Sequence, residues 1–231
     1  VTFEPTASAT AEDDRRFSPY CWRAKMALRH KGLEFETVPW RFTDKEAIAF
    51  SGQGLVPVLV DGGTEVHDSW RIALYLEEAY PQRPALFEGS QSRALSSFVA
   101  QWAFRALHPA VFRVVVLDLF ARIHEKDKAY FRESREKRYG KTLEQVQDGR
   151  EARLPAFRAA LEPIRQTVAQ QKFICGEQPG YADYIVFSGF QWARVASDFQ
   201  LVAADDPIAA WIGRIDGLYD GLTRKVGWPK N

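Results

Sequence analysis

Pro57-Val58-Leu59-Val60-Asp61-Gly62-Gly63-Thr64-Glu65-Val66-His67 reads as a β-hairpin. An aliphatic run leads into Asp61-Gly62-Gly63, whose glycines tolerate the positive φ of a tight turn. Thr64 to His67 then return as the neighbouring strand. Upstream, Ser51-Gly52-Gln53-Gly54 forms a flexible turn, preceded by a short helix near residues 43–50. Residues 33–38 alternate polar and apolar side chains, the period of a half-buried strand. Before them, Ser18-Pro19 opens a helix that runs through His30 and stops at Gly32: serine caps, and proline lacks only an N–H that no helical carbonyl needs. Val1-Thr2-Phe3-Glu4 is the first strand expected. Downstream, Ser69 begins a helix whose Ile72, Leu74, Tyr75, Leu76 and Ala79 can cover a sheet.

The resulting order, β-α-β-α-β-β-α, is the thioredoxin arrangement. A doubly wound dinucleotide fold has no hairpin in its second half, and no glycine-rich fingerprint follows the first strand here, which argues against a nicotinamide site. Pro81-Gln82-Arg83-Pro84 ends the α/β portion. From Ser90 onward the pattern is helical, with segments expected at 90–122, 126–146, 150–171, 180–197 and 207–222. The chain is therefore read as α/β plus all-α: a thioredoxin-like domain over residues 1–80, a linker over 81–89 and a helical domain over 90–231.

Thirty-one basic and 30 acidic side chains leave a formal charge of +1 over 231 residues, too little for broad attraction to nucleic acid or an anionic membrane. No apolar run is long enough to cross a bilayer and no leader pattern opens the chain. Two distant cysteines, Cys21 and Cys175, read as reduced thiols of a cytoplasmic protein, with Cys175 a packing residue. The four histidines are scattered, so no metal is expected. The 7 Trp, 8 Tyr and 16 Phe exceed what the charge balance suggests and suit an apolar pocket or a subunit interface as well as a core.

Three segments carry chemistry. In Ser18-Pro19-Tyr20-Cys21, a hydroxyl at a helix start can donate to a thiolate where helix-terminal N–H groups also favour negative charge. At Val56-Pro57, a cis bond would leave the Val56 amide and carbonyl open to a peptide-like ligand. At Asp68-Ser69, a carboxylate can hold an ammonium while the serine hydroxyl and N–H take a carboxylate. Singly, each is also explained by an ordinary cap or a strand-start proline. Together they suit one ligand bearing a thiol, a peptide unit and an α-amino acid end.

With these words in place, and with Gly180-Tyr181-Ala182-Asp183 at a later helix start, the chain resembles the cytosolic glutathione transferase superfamily along its whole length. Phe17-Ser18-Pro19-Tyr20-Cys21-Trp22-Arg23 and Asp68-Ser69-Trp70 look most like the bacterial β-etherase and fungal serine-type branches. The resemblance implies a detoxifying transferase that uses glutathione as cosubstrate, a small hydrophobic electrophile in a pocket made largely by the helices, and a homodimer. It implies Ser18 as the catalytic hydroxyl and Val56, Asp68 and Ser69 as glutathione-binding residues, with Gln53 and Arg41 as candidate partners of the glycyl carboxylate. Leu55 stands where the family commonly has a basic residue. Tyr20, Trp102, Arg105 and Phe112 are expected in the electrophile pocket, with Phe104, Phe120 and His108 as further candidates.

The implied reaction is attack of the glutathione thiolate on an electrophilic carbon, displacing a halide, an ether oxygen or another leaving group. Two other functions fit the same residues: a glutathione-dependent peroxidase or reductase using Cys21, and a noncatalytic glutathione-binding module.

Overall fold

A computed structural model describes residues 7–8 and 16–225; the strand expected at residues 1–4 lies outside them. β1 (Ala7–Ser8) pairs parallel with β2 (Pro39–Trp40), and α1 (Pro19–His30) connects them. A 3-10 turn (Glu46–Ser51) leads to β3 (Val58–Asp61) and β4 (Thr64–His67), antiparallel with Val58 opposite His67 and Asp61 opposite Thr64. Gly62 and Gly63, at φ 55° and 92°, supply the positive φ that this two-residue turn requires. α2 (Ser69–Ala79) closes the α/β half.

α1 is almost wholly buried, from Cys21 to Leu28, because it packs against both α2 and, in the second half, α9 (Tyr181–Ala196). Its C-terminal end is tied to that of α2 by Lys31, whose amine meets Glu77 at 2.5 Å and the Tyr80 carbonyl at 3.3 Å.

The helical half begins with α3 (Gly89–Trp102), a π-turn (Ala103–Leu107) and α4 (His108–Arg122). It continues through α5 (Glu125–Tyr139), α6 (Leu143–Gln147), α7 (Arg150–Ala160), α8 (Glu162–Gln170), α9 and α10 (Pro207–Asp216). Of the residues of α9 only Arg194 is not buried, and α9 contacts α1, α3 and α4: it is buried all round because protein surrounds it. At its start, the Asp183 carboxylate accepts from the N–H groups of Ile174, Cys175 and Gly180 and from the Trp211 indole, at 2.7–3.1 Å. Gly180 stands at this cap position without a side chain, where a Cβ would lie 2.7 Å from the Cys175 sulfur.

Among the described residues the parallel ladder is seen at Pro39–Trp40; the strand expected to face residues 33–38 lies outside them. Three expectations are corrected. The helix expected at 43–50 is a 3-10 turn over Glu46–Ser51. The span 126–146 breaks at Gly140, in the left-handed region at φ 64°. The final helix ends at Asp216, before Tyr219, Asp220 and Gly221 take positive φ. Cys175 is exposed as a residue, but its thiol packs beside Gly180 and Asp183, and burial pushes its pKa up to about 12.

α5 crosses back onto the α/β half. The fully buried Asp127 carboxylate accepts from Phe42 N at 3.1 Å, Thr43 N at 2.9 Å and Thr43 Oγ1 at 2.7 Å. Phe42 also meets Phe131 of α5 and Phe17, the residue before Ser18. One carboxylate thereby fixes a helix of the bundle beside the start of α1.

Candidate functional site

Ser18 caps α1: its Oγ accepts from Cys21 N at 3.4 Å, the long end of a hydrogen bond. No acidic residue lies in the first turn, so the partial positive charge of the helix start is not neutralised by its own side chains. Ser18 itself is 6% exposed, between Phe17 and Pro19. Cys21, one turn on, is 1% exposed.

The Val56–Pro57 bond is cis. The Val56 side chain rests on the small cluster of Trp40, Ile48 and Val58, and no described residue hydrogen-bonds to its amide or carbonyl. Gln53 folds onto its own loop, its amide oxygen accepting from Leu55 N at 3.0 Å and its NH2 donating to the Leu55 carbonyl. Arg41 follows β2 and is half-buried.

Asp68 caps α2 with a single oxygen, Oδ1 accepting from Trp70 N at 2.9 Å and Arg71 N at 3.1 Å. Its backbone sits at φ 71° and ψ 130°, a strained conformation for a residue with a side chain. Oδ2 takes no hydrogen bond from a described residue. Ser69 is buried, and its carbonyl accepts from the Tyr181 hydroxyl at 2.6 Å, docking this helix start onto α9. The negative charge of Asp68 is felt by both Tyr20 and Arg23, so the starts of α1 and α2 share one neighbourhood.

Beside it runs a line of rings. Tyr20 meets His108 edge-on at 5.4 Å, His108 meets Trp192 at 6.0 Å, Trp192 meets Phe112 at 6.1 Å, and Phe112 stacks on Tyr139 at 5.0 Å and 7°. Beneath Tyr20 lies the buried Arg23. Its guanidinium reaches the Ser188 hydroxyl and His108 Nε2, each at 3.2 Å, and lies 4.8 Å from the Tyr20 ring centre. Burial, and secondarily the Arg23 charge, depresses the His108 pKa to about 3, so the ring is neutral and Nε2 accepts. Burial raises the Tyr20 hydroxyl above its ordinary range, with Arg23 opposing it.

The structure thus brings Tyr20 and Phe112 together through His108 and Trp192. It does not join Trp102 or Arg105 to them: Trp102 packs half-buried against the core, and Arg105 is exposed on the π-turn. Arg23, Trp192, Ser188 and Tyr139 were not anticipated. An arginine amid the apolar face of α1 was the one available signal. Two open clefts lie elsewhere, one between α2 and α3 at Leu74 and Arg93, the other at Asp118 and Arg150; neither includes Ser18, Val56 or Asp68.

A sheet with a cis-proline at a strand start, a hydroxyl at a helix start and a covering helical bundle together define a thioredoxin-like domain extended by helices. The chain belongs to the glutathione S-transferase family: the N-terminal domain profile matches residues 14–84 and the C-terminal domain profile residues 94–214. Glutathione S-transferase 1 of Dianthus caryophyllus is 38% identical over 84 residues, 34% of this chain and 38% of that protein. The chain spans between 38% and 50% of the length of the first four curated relatives it matches.

Among solved structures, glutathione transferase GSTFuA3 from Phanerochaete chrysosporium superposes with a TM-score of 0.75 at 24% identity, over 100% of this chain and 98% of that one. A glutathione S-transferase of Ceriporiopsis subvermispora in complex with glutathione gives 0.71 at 24%, over 97% and 93%. β-Etherase LigF from Sphingobium sp. strain SYK-6 gives 0.66 at 15%, over 97% of both chains. At these identities the likeness is one of fold. No helix among the described residues is long and apolar enough to cross a membrane.

Proposed function

We propose that this chain is a glutathione transferase in which Ser18 stabilises the glutathione thiolate. The observation that carries the proposal is the strained Asp68, whose free Oδ2 stands near the start of α1, in a chain whose family profiles cover both halves. Asp68 holds the γ-glutamyl ammonium and Ser69 its carboxylate, and the unpaired Val56 main chain meets the cysteinyl unit as a short strand does. Gln53 or Arg41 takes the glycyl carboxylate; Gln53 would have to exchange its bonds to Leu55 for the ligand.

The thiol proton leaves to solvent, the Ser18 hydroxyl donates to the sulfur anion, and a sulfur lone pair forms the carbon–sulfur bond. The leaving group departs with its bonding pair. Tyr20 and Phe112 line the electrophile side; Trp102 and Arg105 stand apart from that line. Ether cleavage is within this chemistry when the leaving group is an aryloxide, an extension motivated by the fold shared with β-etherase LigF. A redox cycle through Cys21 is disfavoured by the burial of that residue.

The protein is further proposed to be a cytoplasmic homodimer. Leu95 and Phe98, 67% and 71% exposed on one face of α3, offer a second copy an apolar surface. The test is a product-resolved assay with glutathione and a panel of aryl halides, aryl ethers and peroxides. Conjugate formation is expected. Oxidised glutathione alone, or tight binding without turnover, would overturn the assignment.

A further inference from the structure

The stacked pair of Phe112 and Tyr139 is flanked in sequence by two arginines, Arg113 on α4 and Arg138 on α5. Both are exposed, and neither forms a hydrogen bond or ion pair with a described residue. Other arginines of these helices and of α7 behave otherwise: Arg132 pairs with Glu136 and Glu144, Arg122 with Asp198, and Arg150 with Asp118. The helical neighbours of the two free cations supply no counter-charge. One turn from Arg113 lie Pro109, Ala110, Val116 and Leu117; one turn from Arg138 lie Ser134 and Arg135, with Lys137 adjacent and Lys141 just beyond. Their own helices therefore leave this cationic edge beside the rings uncompensated among the described residues.

A second observation comes from inside the ring line. Trp192, between His108 and Phe112, is 9% exposed, and its buried Nε1–H has no hydrogen-bond partner among the described residues. A buried donor left without an acceptor is costly, and an acceptor atom on a ligand relieves that cost. Arg138 also belongs to the same neighbourhood as Tyr20: its positive charge works against the burial that raises both the Tyr20 and the Tyr139 hydroxyls.

We propose that the electrophile taken beside Ser18 is an aromatic compound carrying a carboxylate, with its ring against the Tyr20–His108–Phe112 line and its anionic group facing Arg113 and Arg138. This names a substrate class for the transferase and rests on that assignment for the reaction, though not for the binding. Two exposed arginines shared by one carboxylate give a bidentate, salt-sensitive contact, and the Trp192 N–H provides a donor for a further oxygen on the ring.

The experiment has a kinetic and a binding arm. In the first, wild type is compared on chlorodinitrobenzene and its carboxylate analogue chlorodinitrobenzoate, with kcat/KM for the second divided by that for the first. The Arg113→Gln, Arg138→Gln double variant is expected to lower this ratio about tenfold, the worth of one charge-assisted contact. The Arg113→Lys, Arg138→Lys variant is expected to restore part of it. In the second arm, quenching of tryptophan fluorescence measures nitrobenzoate against nitrobenzamide on protein saturated with S-methylglutathione, at low and high salt. Tighter binding of the anion, weakened by salt and by the glutamine substitutions, supports the proposal. Equal binding of the two, or a preference that survives the double variant, overturns it. If neither aryl halide turns over, the transferase assignment fails, while the binding ratio still decides the carboxylate site.

Discussion

Asp68 performs two tasks with one side chain. Oδ1 satisfies two amides at the start of α2, and Oδ2 is left for a ligand in a backbone conformation that a residue with a Cβ rarely adopts. Asp68→Asn separates them, because asparagine keeps an oxygen to cap but loses the charge that holds an ammonium. Glutathione affinity measured by calorimetry is expected to fall about tenfold, with unfolding free energy changed by less than about 0.5 kcal/mol. Equal loss for glutathione and for a derivative lacking the γ-glutamyl ammonium would contradict the assigned pairing. Such a cap is legible in sequence because its chemistry is local: Asp68-Ser69 before an apolar-periodic segment, like Ser18-Pro19, states its own geometry. The positive φ of Asp68 and the burial of Arg23 are not local properties. Residues 23, 108 and 188 meet only because α1, α4 and α9 pack together.

Between elements, that meeting makes His108 a neutral group under a buried guanidinium. A native pKa of about 3 against an ordinary 6.5 means that the unfolded chain binds a proton which the folded chain refuses. The contribution is complete above pH 6.5 and is lost as pH falls through the window towards 3. The depressed pKa of His30 acts in the same direction. Urea unfolding between pH 6.5 and 4 is expected to show the wild type losing stability more steeply than His108→Gln, by about 1 kcal/mol per pH unit, since glutamine retains an acceptor for Arg23 without titrating. Parallel pH profiles would contradict a buried neutral His108. At this scale the hairpin was the most legible element, because Asp61-Gly62-Gly63 states its turn outright. The alternation of residues 33–38 reports which side is buried: Leu33 and Phe35 face the core, and among the described residues the ladder is seen just beyond them, at Pro39 and Trp40. A π-turn within 90–122 inserts itself without changing the polarity pattern.

For the molecule as a whole, the two-domain architecture followed from the order of elements, while the contacts across it did not. Asp127 illustrates the difference: in sequence it is one charge in the polar segment Glu125-Lys126-Asp127-Lys128, and in the fold it ties α5 to Phe42 and Thr43. Asp127→Ala leaves buried donors unmatched and is expected to cost about 2–4 kcal/mol of unfolding free energy, read by urea denaturation. A change below 0.5 kcal/mol would show that the contact does not hold the halves together. Association belongs to the same scale. Leu95→Asp with Phe98→Asp is expected to convert the proposed dimer to monomer by sedimentation equilibrium; a wild type already monomeric at micromolar concentration would contradict the apolar-face assignment. The central claim, that the Ser18 hydroxyl stabilises a thiolate, is tested most directly by titrating the ultraviolet absorbance of bound glutathione against pH. In the wild type the bound thiol is expected to ionise well below the range of free glutathione, and in Ser18→Ala about 1–2 pH units higher than in the wild type. Identical thiol titrations in the two proteins, with turnover unchanged, would contradict it.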